Sequence, residues 1–276
     1  MNRGDLKNMD RKPILDHGYL EFVESWGSDE RIIEAARMST AKGFLGWGGD
    51  LCPECDAAQR LDERDGLFRD LEAKRQAESC ACKGTGKTIG DEKLLRYLWE
   101  NKHHTPFDMA GMTVEVQAPI LVFREWHRHR VPFGYNEMSA RYTPLPDVNY
   151  IPTVERLMVN SKTNRQAGVI KGAYELTEDK AQHFREELMG QYKVQEELYQ
   201  WALQAGVPKE LARVHLPVGR YSRMRATSNL RGWLGFLTLR MAPAAQFEIR
   251  EYANAVGELI AEKFPRTWGL FIEGKS

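Results

Sequence analysis

Between Met112 and Arg130 the apolar pattern of this chain changes period. Met112, Val114 and Val116 alternate with polar residues, the two-residue repeat of a half-buried strand. Pro119 then stands where proline suits the first position of a helix, and Ile120 to Arg130 read as that helix. A strand running straight into a helix restricts the chain to folds in which a one-sided sheet is covered by helices.

The flanking segments agree. Ile14 to Phe22 reads as a strand or hairpin turning at Asp16-His17-Gly18, and Ser28 suits the N-cap of a helix through Ile32, Ile33, Ala36 and Arg37. Gly43 to Gly49 interrupts regular structure. A helix from Asp91 presents Leu94, Leu95, Leu98 and Trp99. Thr177 caps a long helix with the stripe Phe184, Leu188, Tyr192, Tyr199 and Ala202, ending at Gly206. Ser161 to Gln166 reads as a loop. A short helix from Pro208, an arginine-rich segment, a helix toward Arg240 and a helix from Pro243 to Phe264 complete the pattern. The expected fold is α+β, a mixed sheet packed with long helices, with residues 1–276 forming one domain and residues 50–90 an arm inserted in it.

The chain carries 39 Lys+Arg and 39 Asp+Glu, hence no formal net charge. On that background Arg124, Arg128, Arg130 and Arg141 crowd into the stretch that ends at Tyr142, together with His127 and His129. A focused cationic cluster on a neutral chain suits a small anion better than a long nucleic-acid footprint. On a helix Arg124 and Arg128 would share a face, and their guanidinium forks match phosphate oxygens or a carbonyl gaining negative charge. Trp126, Phe133 and Tyr135 are candidates to stack on a planar ring. The bland reading of such a cluster is a solvated basic helix end. Membrane spans are excluded by the lack of an apolar run of roughly 18–20 residues. The first residues, Met1 to Leu6, show no apolar leader, so the expectation is a cytoplasmic protein.

Arg128-His129-Arg130 followed by Ser139-Ala140-Arg141-Tyr142 resembles the signature of flavin-dependent thymidylate synthases. Ala35-Ala36-Arg37-Met38-Ser39, His103-His104-Thr105-Pro106-Phe107, Ala118-Pro119-Ile120, Leu211-Ala212-Arg213, Asn229-Leu230-Arg231 through Leu239-Arg240, and Ala245-Gln246-Phe247-Glu248 are similar to further blocks of that family, in the same order. The resemblance spans about residues 13–272 outside the arm. It implies a family-like α+β subunit that methylates dUMP to dTMP in de novo nucleotide biosynthesis. The implied cofactor is FAD, with NADPH as reductant and methylenetetrahydrofolate as one-carbon donor, in a homotetramer with shared active sites. It implies flavin contacts at Thr105, Arg128, His129, Arg130, Glu137, Asn229, Leu230 and Arg231. The implied dUMP contacts are Arg128, Ser139, Arg141, Arg213 and Arg240, with Arg240 the catalytic cation that polarises the pyrimidine.

The chain departs from the family pattern in places. Eight residues, Val131 to Met138, separate Arg130 from Ser139, one more than the pattern, and Gly134 is the expected site of a bulge that absorbs it. Glu125 stands where glutamine is common, Gly235 where some members carry asparagine, and Ala244 where some carry histidine.

Two further groups need a reading. Cys52-Pro53-Glu54-Cys55 and Cys80-Ala81-Cys82 place four thiols in two close pairs, a pattern for structural zinc; free or redox-active cysteines are the alternative. Gly84-Thr85-Gly86-Lys87-Thr88 lacks the earlier glycine of a phosphate-binding loop, because Ala81 stands there. Arg220, Arg223 and Arg225 read as a basic strand, with function assigned only to Arg231 and Arg240. Two alternatives stay open: a related pyrimidine-C5 one-carbon transferase such as a hydroxymethylase, and a zinc-bearing nucleic-acid-binding protein. Neutral net charge argues against the latter.

Overall fold

The computed structural model describes residues 11–48, 90–159, 168–170 and 172–274. Cys52, Cys55, Cys80 and Cys82, and the loop expected at Ser161 to Gln166, lie outside the described residues. The rest is α+β, and it separates into two compact units, each drawn from stretches far apart in sequence.

The first unit takes its described residues from 1–24, 112–228 and 232–259. It carries a five-stranded sheet in the order β1-β2-β3-β5-β4, in which β4 is Gly134–Glu137. β1 (Arg11–Ile14) and β2 (Gly18–Trp26) form the expected hairpin, antiparallel with Ile14 opposite Gly18. β3 (Gly111–Pro119) buries Met112, Val114 and Val116 on one face and leaves Thr113, Glu115 and Gln117 partly exposed on the other. β5 (Tyr221–Asn229) alternates in the same way, with Met224 and Ala226 buried and Arg223 and Arg225 exposed. The outer face is knit by polar cross-strand pairs: Thr113 Oγ1 to Thr227 Oγ1 at 3.0 Å, and Arg225 Nε to Glu115 Oε2 at 3.2 Å.

The covered face packs against helices that are numbered in chain order with those of the second unit. α3 (Ile120–Trp126) follows β3 directly and is shorter than expected, because the chain leaves the helix after Trp126. Trp126 is fully buried and stacks on Phe236 at 4.8 Å, so it belongs to the core and is not a platform for a ligand ring. α4 (Val154–Met158) is one short turn, and α5 (Glu178–Gln204) is the long helix capped by Thr177, whose Oγ1 accepts from Lys180 N. Of its expected stripe, Tyr199 and Ala202 are buried and Phe184 is exposed; Val194, Leu198 and Trp201 are exposed as well. α6 (Lys209–Ala212) follows it. α7 (Leu230–Arg240) continues from β5 and has its first two residues in the second unit. α8 (Phe247–Lys263) starts later than Pro243 because Ala242 to Ala245 closes a turn first, Ala245 N donating to Ala242 O. Arg220, only 1% exposed, pairs with Asp147 at 2.9 Å and Glu196 at 2.8 Å, which makes it a buried structural cation.

The second unit comprises described residues of 25–111, 229–231 and 260–276. α1 (Asp29–Arg37) is capped by Ser28, and α2 (Glu92–Glu100) buries Leu95 and Leu98. Buried Asp91 pairs with Arg37 and accepts from Leu45 N, tying the irregular glycine-rich stretch to α2. α9 (Pro265–Glu273) is a separate final helix, since Pro265 cannot continue the ladder of α8. Buried Asp29 accepts from Arg266 N and from Thr267 N and Oγ1, the expected place for a carboxylate at a helix N-terminus. Among the described residues no helix is long and apolar enough to cross a membrane.

Candidate active site

The end of α3 sets the positions of the Arg128-His129-Arg130 triplet. His127 N closes the last helical turn on Phe123 O; Arg128 N and His129 N then donate to Glu125 O and Trp126 O in a tighter turn. The Tyr135 hydroxyl lies 3.2 Å from Trp126 O, which already accepts from His129 N, and 2.5 Å from His129 O, to which its one proton goes by the shorter contact. Arg128 and Arg130 therefore sit in a turn beyond the helix, both exposed, and Arg128 does not share a helical face with Arg124.

β4 (Gly134–Glu137) follows, antiparallel to β5 in unbroken register from Gly134 opposite Thr227 to Glu137 opposite Met224; Met138 N then donates to Arg223 O. The expected bulge at Gly134 is absent, and Val131 to Phe133 lead into the strand. That segment is anchored by Phe133, which packs edge-on to Trp233 at 4.8 Å and stacks on Tyr135. Ser139 opens the next turn: its hydroxyl accepts from Arg141 N, and its carbonyl from Tyr142 N and Thr143 N.

Arg141 leads to the second cation. Its Nε lies 3.3 Å from Glu210 Oε2. Glu210 in turn lines a cavity of about 300 Å³ with Ile120, Leu145, Arg213, Val214 and Leu216. Arg141 is thus paired with a carboxylate that shares a cavity with Arg213.

Arg240, the last residue of α7, is the most firmly held of the expected contacts. Its Nη1 donates to Glu125 Oε2 at 2.8 Å, Nη2 to the Glu125 carbonyl at 2.9 Å, and Nε to His129 Nε2 at 3.0 Å. A guanidinium only donates, so His129 Nε2 must be the bare nitrogen and its proton resides on Nδ1. Burial, reinforced by the Arg240 charge, lowers the His129 pKa to about 4. Burial raises the pKa of Glu125, with Arg240 opposing and Glu248 adding to the shift.

The second unit holds the remaining expected residues. Asn229 Nδ2 donates to Asp108 Oδ1 at 2.9 Å, and Arg231 Nη1 lies 3.8 Å from Asp108 Oδ2, with its side chain 53% exposed. Leu230 N donates to Ala110 O at 2.7 Å, which fixes the start of α7 beside the short 3₁₀ turn Thr105–Met109. Thr105 lines an open pocket of about 470 Å³ with Ala35, Ala36, His103, His104 and Pro106 among others, so two sequence blocks that lie far apart meet in one concavity. Asp108 and Glu210 were not singled out from the sequence. The position of Asp108 directly after Phe107 is the one local hint; nothing local marks Glu210.

These features match known proteins across nearly the whole chain. The family model described as thymidylate synthase complementing protein matches residues 21–266. A flavin-dependent thymidylate synthase of Thermus thermophilus is 32% identical over 265 residues, covering 95% of this chain and 78% of the relative. One from Thermotoga neapolitana is 32% identical over 261 residues, covering 95% and 94%. A crystal structure of the UMP/dUMP methylase PolB from Streptomyces cacaoi bound with 5-Br dUMP superposes with a TM-score of 0.67 at 28% identity, covering 95% of this chain and 97% of that one. The chain belongs to the flavin-dependent thymidylate synthase family.

Proposed function

We propose that the chain methylates dUMP at C5 to give dTMP, with FAD as cofactor, methylenetetrahydrofolate as one-carbon donor and NADPH as reductant. The observation that carries this reading is the fixed guanidinium of Arg240. Three of its five N–H donors are used on Glu125 and His129, which leaves two, one on each Nη, for a ligand. Uracil C5 becomes nucleophilic as negative charge moves into the ring, and a cation already held in place stabilises that charge without having to reorganise. Arg141, paired with Glu210, and Arg213, which shares a cavity with Glu210, are read as contacts of the nucleotide phosphate, and Arg128 as a further dUMP contact. Ser139, whose hydroxyl serves its own turn, is read as a nucleotide contact and not as a nucleophile.

The residues present suit a flavin. Arg128, Arg130 and Arg231 expose cationic ends, and Thr105 opens on a concave pocket. Thr105, Asn229, Leu230, Arg231, Arg128, His129, Arg130 and Glu137 are the proposed contacts. When bound, the flavin would supply the hydride that completes the methyl group. Exposed Val194, Leu198 and Trp201 on α5 support self-association, read here as the homotetramer. Zinc on Cys52, Cys55, Cys80 and Cys82 remains a proposal that metal analysis of the purified protein would test.

The test is incubation of the purified protein with FAD, NADPH, methylenetetrahydrofolate and dUMP, followed by mass analysis of the nucleotide. A methylated product that requires every component is expected. A hydroxymethylated product would move the assignment to a sibling reaction, and failure to bind either flavin or dUMP would sink it. UMP should be assayed in parallel, because the Streptomyces neighbour is named for both nucleotides and also matches in its form bound with 5-Br UMP, at a TM-score of 0.68.

A further inference from the structure

Glu125 lies on α3, 115 positions from Arg240 in sequence, yet it contacts that guanidinium twice, once through its carboxylate and once through its own carbonyl. Both side chains are largely withdrawn from water, 25% exposed for Glu125 and 18% for Arg240. A long flexible side chain at a helix end would sample many rotamers unless held, and each rotamer frozen in advance is one that substrate need not freeze. A glutamine here would keep an acceptor for Nη1 but bring no charge, whereas the carboxylate forms a charge-assisted bond and offsets part of the cation.

We propose that Glu125 is a positioning residue for the methylation reaction, clamping Arg240 in the orientation in which its two remaining N–H groups meet the pyrimidine. This inference rests on the reading of Arg240 as the pyrimidine cation. The groups that face the clamped pair are His129, on the Arg240 Nε, and Glu248 at the start of α8, whose charge acts on Glu125. Glu248 is itself neutralised by Arg156, at 2.8 Å. Glu125 therefore has Arg240 as its own cationic partner, and protonating it would weaken the clamp.

The test compares Glu125→Ala and Glu125→Gln with the parent, using full-length protein loaded with FAD. The Glu125 carbonyl and His129 persist in both variants, so Arg240 keeps two of its three bonds and the fold should survive, which a thermal melt verifies. Glu125→Ala should lose roughly 10–100-fold in kcat with less than about a threefold change in the KM for dUMP, as expected when geometry and not binding is lost. Glu125→Gln should recover to within about fivefold of the parent. It should also lack the acidic limb of the kcat profile that protonation of Glu125 gives the parent.

A readout independent of turnover is labelling of arginines by phenylglyoxal, mapped by peptide mass spectrometry. Arg240 should label several-fold faster in Glu125→Ala than in the parent, and Glu125→Gln should remain close to the parent. Equal kcat losses in both variants, an acidic limb that persists in Glu125→Gln, or unchanged Arg240 labelling in Glu125→Ala would each overturn the clamp. If the parent yields no methylated nucleotide, the proposed function fails, and the labelling experiment still decides whether Glu125 holds Arg240.

Discussion

Gly232 and Gly235 lie three residues apart on α7, and replacing each by alanine separates the packing of this helix from its intrinsic propensity. At Gly235 an added Cβ meets nothing within 4 Å, so the substitution changes only helix propensity. Alanine is worth up to about 1 kcal/mol over glycine there, because the unfolded chain loses less freedom on folding. At Gly232 the same Cβ would lie 2.7 and 2.8 Å from Pro132 Cδ and Cγ, and also against the Ser228 hydroxyl. The Ser228 Oγ is buried without a hydrogen-bond partner, so it can turn away at little cost. The proline ring is rigid and must move by roughly half an ångström or more to reach an ordinary contact distance. Overpacking of that kind costs about 1–3 kcal/mol, which outweighs the propensity gain. Gly235→Ala should therefore raise stability by about 0.5–1 kcal/mol and Gly232→Ala lower it by about 0.5–2 kcal/mol. At roughly 2–4 °C per kcal/mol for a chain of this size, the two melting temperatures should differ by several degrees and in opposite directions from the parent. Urea titration gives the same comparison free of scan-rate effects. Because Pro132 sits two residues beyond Arg130, Gly232→Ala should also weaken flavin or dUMP binding, while Gly235→Ala leaves dUMP binding unchanged. Two variants that shift stability alike would refute the assigned contact between Gly232 and Pro132.

The acid limb of stability offers a second check. The His129 pKa falls to about 4 in the folded chain from an ordinary 6.5, so the unfolded state takes up a proton first as pH drops. Stability should fall as pH moves from about 6.5 toward 4 and level off below that. The effect is on the order of 1–2 kcal/mol once discounted for a side chain that is half in solvent. Glu125, with its raised pKa, acts in the opposite sense, so the difference between parent and His129→Gln isolates the histidine; an unchanged slope in that variant would contradict the geometry. Arg220→Met should cost about 3–5 kcal/mol, because Glu196 would be left as a largely buried carboxylate without its cation. Adding Glu196→Gln to that variant should restore a good part of the loss in chemical denaturation, and no restoration would assign the cost elsewhere.

Local chemistry made much of this fold legible. The hairpin, the caps at Ser28 and Thr177 and the glycine end of α5 rest on interactions within a few residues, and they stand where the pattern put them, as does the β3–α3 junction, whose first N–H groups are held by Arg220 and Val218 carbonyls. The misreadings share a different origin. α3 stops at Trp126, where the chain tightens into a turn whose His129 carbonyl accepts from Tyr135. Trp126 is core because Phe236 and Trp233 pack on it. β4 carries no bulge at Gly134 because β5 holds it in unbroken register. The core position of Trp126 and the register of β4 were decided by partners distant in sequence, which no local window contains.

The sequence by itself determined the class of fold, the family and the residue types available for chemistry, since these follow from periodicity and from ordered blocks of side chains. Only the tertiary structure decided which of those groups act on one another. It joined Arg240 to Glu125 and His129, and Arg141 to Glu210. The physical reason is that charge and hydrogen bonding act through space over a few ångströms, while the chain brings those ångströms about by folding segments that lie up to more than a hundred residues apart.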